Sequence, residues 1–181
     1  MLASSGSDRV MRLWDVQTGQ YLRVIEPWVN WVTSVEFSPT EPYLASANQD
    51  GTVKLWDANT TDCVKILEGH QRQAQTIAFD PTERKLASGS DDHTVKLWDL
   101  QSGQCLQTLD GYTRAVVSIS FHPQGPLLVS GGHDPTLKLW DVQQGTQIPT
   151  LQGHNDAIRS VTFDAQGRKL VSGSDDDRIR L

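Results

Sequence analysis

Residues 86–99 read LASGSDDHTVKLWD, with close copies at 44–57 (LASANQDGTVKLWD) and 128–141 (LVSGGHDPTLKLWD), each 42 residues from the next. The closing dipeptide recurs as Trp14-Asp15, Trp56-Asp57, Trp98-Asp99 and Trp140-Asp141 at that same spacing of 42. A fixed period of this size is the mark of a propeller or an array of stacked units. Inside the unit the pattern is shorter. Val95 and Leu97 alternate with Thr94, Lys96 and Trp98, the period of two that an extended strand imposes. QAQTIAFD, KLASGS, TVKLWD and CLQTLDG give four strand signals between residues 73 and 111, broken at Asp80-Pro81-Thr82-Glu83, Asp91-Asp92-His93 and Gln101-Ser102-Gly103. Helical periodicity is absent. Connections this short leave no room for a crossover, so consecutive strands must pair antiparallel as a meander.

The 181 residues hold four periods of 42 with 13 left over. Residues 2–13 (LASSGSDRVMRL) and 170–181 (LVSGSDDDRIRL) share one phase, so neither end supplies what the other lacks. With the four strands of a unit lettered a to d, the phase predicts b-c-d, then three full sets, then a-b-c. The expected units are 1–26 (incomplete), 27–68, 69–110, 111–152 and 153–181 (incomplete).

These motifs, with Gly69-His70 and Gly153-His154 as the Gly-His marker, resemble the repeats of the WD-repeat (WD40) β-propeller family over essentially the whole chain. The resemblance implies an all-β fold, an arc of four-stranded antiparallel blades of about four and a third 42-residue repeats. Rings of this kind most often have about seven blades. The expectation is therefore an arc of a longer propeller, incomplete as a single-chain ring and ending just before a fifth Trp-Asp.

Bulk composition narrows the partners. Sixteen Lys and Arg against 22 Asp and Glu give a formal charge of -6. Duplex binding calls for a basic stripe to neutralise phosphates, and none is visible. No apolar run approaches the ~20 residues of a membrane-spanning helix, and the first residues lack the pattern of a secretory leader. Cys63 and Cys105 are 42 apart, at equivalent points of neighbouring units and poorly placed for a disulfide. They are expected as buried reduced thiols in a cytoplasmic protein.

His70, Ser88 and Asp92 suggest a Ser-His-Asp triad, but the Asp phase recurs at Asp8, Asp50, Asp92, Asp134 and Asp176. The Ser phase likewise recurs at Ser4, Ser46, Ser88, Ser130 and Ser172. A reaction needs one site, so a constellation repeated in every unit serves each unit's folding. The family resemblance implies a structural network in which Asp92 holds His70, His70 bonds Ser88, and Ser88 bonds the indole of Trp98. At the His phase stand Trp28, His70, Tyr112 and His154, so only the unit of His70 carries the whole set. Asp175-Asp176-Asp177 has neither the glycine nor the distal glutamate of an EF-hand loop, and His93, His122 and His133 fall singly in turns. No metal, cofactor or catalytic residue is expected.

Function in such a scaffold belongs to its loops. The resemblance implies partner docking on the face made by the d–a and b–c loops. Four of the six tryptophans are the repeated ones; Trp28 and Trp31 are extra, both in PWVNWVTS. Trp31 matches Gln73, Ala115 and Ala157 in phase, where no repeat logic demands an aromatic, and large exposed aromatics are enriched at interfaces. It is the expected anchor. Gln73, the strand-a residues Thr33, Gln75 and Arg159, and Gln49, Asp91, His133 and Asp175 before each turn Asp complete the candidate surface. The leading expectation is a non-catalytic scaffold for a protein or peptide, binding neither nucleic acid nor membrane, with self-association through the incomplete terminal blades left open. The alternative is a regulatory or sensor segment of a larger signalling protein of the nucleotide-switch type.

Overall fold

A computed structural model describes residues 1–6, 8–26, 31–82 and 84–181. Among them are eighteen strands and no helix, arranged as five antiparallel sheets. The first has three strands, β1 (Leu2–Ser5), β2 (Met11–Trp14) and β3 (Tyr21–Ile25). Three four-stranded sheets follow. They are β4 (Val32–Phe37), β5 (Tyr43–Asn48), β6 (Val53–Asp57) and β7 (Cys63–Leu67); β8 (Ala74–Phe79), β9 (Lys85–Ser90), β10 (Val95–Asp99) and β11 (Cys105–Leu109); and β12 (Val116–Phe121), β13 (Leu127–Gly132), β14 (Leu137–Asp141) and β15 (Thr146–Leu151). The last has three again, β16 (Ile158–Phe163), β17 (Leu170–Ser174) and β18 (Ile179–Arg180). Strands pair in chain order within every sheet. The architecture is an incomplete propeller, with no closed ring among the described residues.

The sheets stack as blades, and the core lies between them. One apolar cluster joins Met11, Leu13 and Ile25 of the first blade to Val32, Leu44 and Trp56 of the second. The next joins Leu55 and Leu67 to Ile77, Leu86 and Trp98, and a third joins Val95, Leu97 and Leu109 to Ile119, Leu128 and Trp140. Trp56, Trp98 and Trp140 thus each pack against the blade before their own. Because blades cover one another on both faces, middle strands such as β5 and β9 are buried almost throughout. Outer strands such as β3 and β11 are mostly exposed. Close stacking also explains a Gly phase in strand b. A Cβ on Gly89 would meet Val116 at 2.8 Å, and one on Gly131 would meet Ile158 at 2.6 Å, both well inside van der Waals contact.

The Asp of each Trp-Asp closes the c–d turn by accepting a backbone N–H two or three residues on. Gln17 donates to Asp15 at 2.8 Å, Asn59 to Asp57 at 2.7 Å, Ser102 to Asp99 at 2.6 Å and Gln143 to Asp141 at 2.9 Å. Such Asx turns fix a tight reversal locally. The expectation of buried thiols needs correction: Cys63 is half-buried and Cys105 exposed. Both begin strand d, the outer edge of the blade, and Cys63 is covered only in part, by the cluster between the first two blades.

Candidate functional site

The complete Asp-His-Ser-Trp set lies in the blade of β8 to β11. Trp98 Nε1 donates to Ser88 Oγ at 2.8 Å, Ser88 Oγ lies 2.7 Å from His70 Nε2, and His70 Nδ1 lies 2.8 Å from Asp92 Oδ2. Asp92 also accepts the Gln71 N–H at 3.0 Å and the Thr94 hydroxyl at 2.7 Å. With Asp92 as acceptor and Ser88 already accepting from the indole, the self-consistent arrangement is a neutral imidazole protonated on Nδ1, its Nε2 receiving the Ser88 hydrogen. Burial pushes the His70 imidazole below its usual value, against the pull of Asp92. Burial opposes ionisation of Asp92, but the bonds from Thr94, Gln71 and His70 outweigh it and hold its carboxyl low. Ser88 is fully buried and its oxygen is engaged on both sides, so it presents no nucleophile to a substrate.

Three of the other four blades are wired differently. Trp14 donates to Ser4 at 2.8 Å and Trp56 to Ser46 at 3.0 Å. Trp28, at the His phase, lies outside the described residues. Tyr112 does more than stand in for an imidazole: its hydroxyl sits between Ser130 and Trp140, taking the indole N–H at 2.8 Å in place of the serine. Burial pushes this phenol well above its ordinary value. Asp134, which a histidine would otherwise engage, is held by the N–H and hydroxyl of Thr113. In the last blade His154 bonds Asp176 at 2.9 Å and Ser172 at 2.8 Å.

The candidate surface residues come together in pairs at one end of the blades. The residue leading into strand a accepts a backbone bond from the residue that follows strand b. Gln49 N–H donates to the Trp31 carbonyl at 2.9 Å, Asp91 to Gln73 at 2.9 Å, His133 to Ala115 at 3.0 Å and Asp175 to Ala157 at 2.9 Å. One step further in, strand a is bulged in all four blades. The register slips between Val32 and Ser34, Ala74 and Thr76, Val116 and Ser118, and Ile158 and Ser160. The extra residues are Thr33, Gln75, Val117 and Arg159. A bulge leaves its residue outside the ladder and re-aims its side chain. Phase marks Thr33, Gln75 and Arg159 in the sequence but not the bulge behind them. Their residue types share no chemistry that would announce one.

Two of these side chains meet the pre-turn residues. Gln75 Nε2 donates to Asp91 Oδ1 at 2.9 Å. Arg159 Nε donates to both oxygens of Asp175 at 2.9 Å, and its Nη1 lies 3.1 Å from His133 Nε2 in the neighbouring blade. The Arg159 guanidinium holds the Asp175 carboxyl below the usual carboxylate range. Thr33 points inward instead, its one hydroxyl hydrogen shared between the Ala47 carbonyl at 3.1 Å and the Ala74 carbonyl of the next blade. Trp31 is 45% exposed despite its size. No group of three or more His, Cys, Asp or Glu side chains among the described residues is arranged to hold a metal ion.

A family model described as the WDR3 first beta-propeller domain matches residues 1–181. Among curated proteins no match is found.

Proposed function

The chain belongs to the WDR3 first beta-propeller domain family, and from that premise we propose that it is a non-catalytic scaffold that docks a protein or peptide on its d–a and b–c loop face. WD40 propellers generally bind protein partners. The observation that carries the finer reading is the repeated bulge. Four blades bulge strand a at one residue beside one pre-turn residue, and three of the pairs differ from blade to blade, Gln75 with Asp91, Val117 with His133, and Arg159 with Asp175, while Thr33 beside Gln49 turns its hydroxyl inward. A fixed backbone presenting changing side chains is the arrangement a recognition surface needs. Trp31 stands at its edge with nearly half of a large apolar side chain in solvent.

A formal charge of -6 argues against a phosphate backbone or an anionic lipid surface as the ligand. Trp31→Ala removes the anchor and is expected to weaken capture of the partner by ~10-fold or more. Arg159→Ala is expected to slow association and reduce its salt dependence, since an exposed charge acts chiefly on encounter. Neither change should move the melting temperature by more than about a degree or two. Loss of capture in step with loss of stability would refute the assignment of these residues to the interface.

A further inference from the structure

The inner face of the arc carries a feature that the loop-face reading does not use. Strand a is innermost in each full blade, so one of its backbone edges has no strand to pair with. Side chains of the preceding blade meet some of these groups. Val161 N–H donates to Ser118 Oγ at 3.0 Å, and Phe79 N–H donates to Glu36 Oε2 at 3.0 Å. A neutral hydroxyl suffices for the first. The second uses a carboxylate, which costs far more to hold away from water. Glu36 is half-buried, with Phe79 N–H as its hydrogen-bond partner among the described residues. Burial pushes its carboxyl up to about 7, against the stabilising Phe79 bond. An amide or hydroxyl would satisfy Phe79 without that penalty, so the acidic group itself calls for a use.

Glu36 borders a cavity of about 390 Å³ toward the a–b turn end of the arc, away from Trp31 and the bulges. Pro39, Pro81, Pro123 and Phe37 give it apolar walls, and among the described residues Glu36 is the one titratable side chain lining it. Ser120 and Thr162 also line it, each donating its hydroxyl hydrogen to a carbonyl of its own strand, at 3.4 and 3.2 Å. Their oxygens therefore remain acceptors. We propose that this cavity takes the side-chain ammonium of a lysine presented by a partner protein, with Glu36 as its counter-ion. An ammonium brings a compact charge to the Glu36 oxygen that Phe79 leaves open, and its four-carbon stem suits the proline and phenylalanine walls. A guanidinium favours a two-oxygen fork, and one Glu36 oxygen is already bonded to Phe79.

The test uses the whole chain and the peptide acetyl-Gly-Lys-Gly-amide, with arginine and norleucine versions beside it. The Glu36 carboxyl carbon is followed by NMR as pH is varied. The lysine peptide should lower the Glu36 midpoint by about one unit, as an approaching opposite charge does, and the norleucine peptide should leave it in place. Glu36→Gln should weaken lysine-peptide binding by ~10-fold or more. Equal response to lysine and norleucine, or unchanged binding in Glu36→Gln, would overturn the site. Tighter binding of the arginine peptide would overturn the choice of lysine. Because the midpoint is read in the unsubstituted protein, the test stands even if the Gln variant folds poorly.

Discussion

Several single residues hold backbone conformations that their side chains disfavour, and the repeat supplies its own controls. The c–d turn has a left-handed position filled by Gly19, Gly103 and Gly145 at φ of 71°, 76° and 69°, but in one blade by Thr61 at 69°. A β-branched residue is strained there, so Thr61→Gly should stabilise the chain by roughly 0.5–1 kcal/mol, read as a higher urea midpoint. Gly51 shows the opposite sign. At φ 84° a Cβ would also meet the Arg72 carbonyl at 2.7 Å, so Gly51→Ala should cost roughly 1–2 kcal/mol. Glu36 and His70 give stability a pH dependence of opposite signs. Glu36 titrates near 7 in the folded chain and near 4.3 when unfolded. The native state therefore binds the extra proton, and this group's contribution falls as pH rises between those values. His70 is held neutral by burial, so its contribution falls as pH drops through its unfolded value near 6.5. Glu36→Gln should accordingly raise the melting temperature more at pH 8 than at pH 5; an equal gain at both would contradict the titration.

At the scale of the element, the blade of β12 to β15 shows how a strand network can be rebuilt around one substitution. Tyr112 is longer than histidine, and its hydroxyl reaches the space between Ser130 and Trp140. Tyr112→Phe leaves the Trp140 N–H without that acceptor and should cost about 1–3 kcal/mol, measured by chemical denaturation. A neutral result would mean that the indole regains Ser130 directly. The strands themselves were legible in the sequence, because alternation and the 42-residue phase are properties of adjacent residues. So was the membership of the His70, Ser88, Asp92 and Trp98 set. The altered wiring at Tyr112 was not, since side-chain reach is not written in spacing. Nor were the bulges, whose residues Thr33, Gln75, Val117 and Arg159 have no common chemistry, nor the bond from Phe79 to Glu36, 43 positions apart. What the period dictates was readable; what depends on contact between blades had to be seen.

Across the whole molecule, each blade touches its neighbours through a separate apolar cluster, so cohesion is a sum of intrinsic blade terms and nearest-neighbour interfaces. Such a scaffold keeps its end faces aligned while individual side chains vary, and this is why the proposed docking surface can run across several blades. It also separates that surface from the outer rim, where strand d exposes Val64, Ile66 and Leu106. Mere stickiness would make the apolar rim the better binder; recognition by the bulged end would make it the poorer one. The decisive measurement places a photo-crosslinking amino acid singly at Gln49, at His133 and at Leu106 and compares the yield of partner crosslinks. The loop-face account predicts strong crosslinks from Gln49 and His133 and little from Leu106. Equal yields from all three positions, or a yield confined to Leu106, would contradict it.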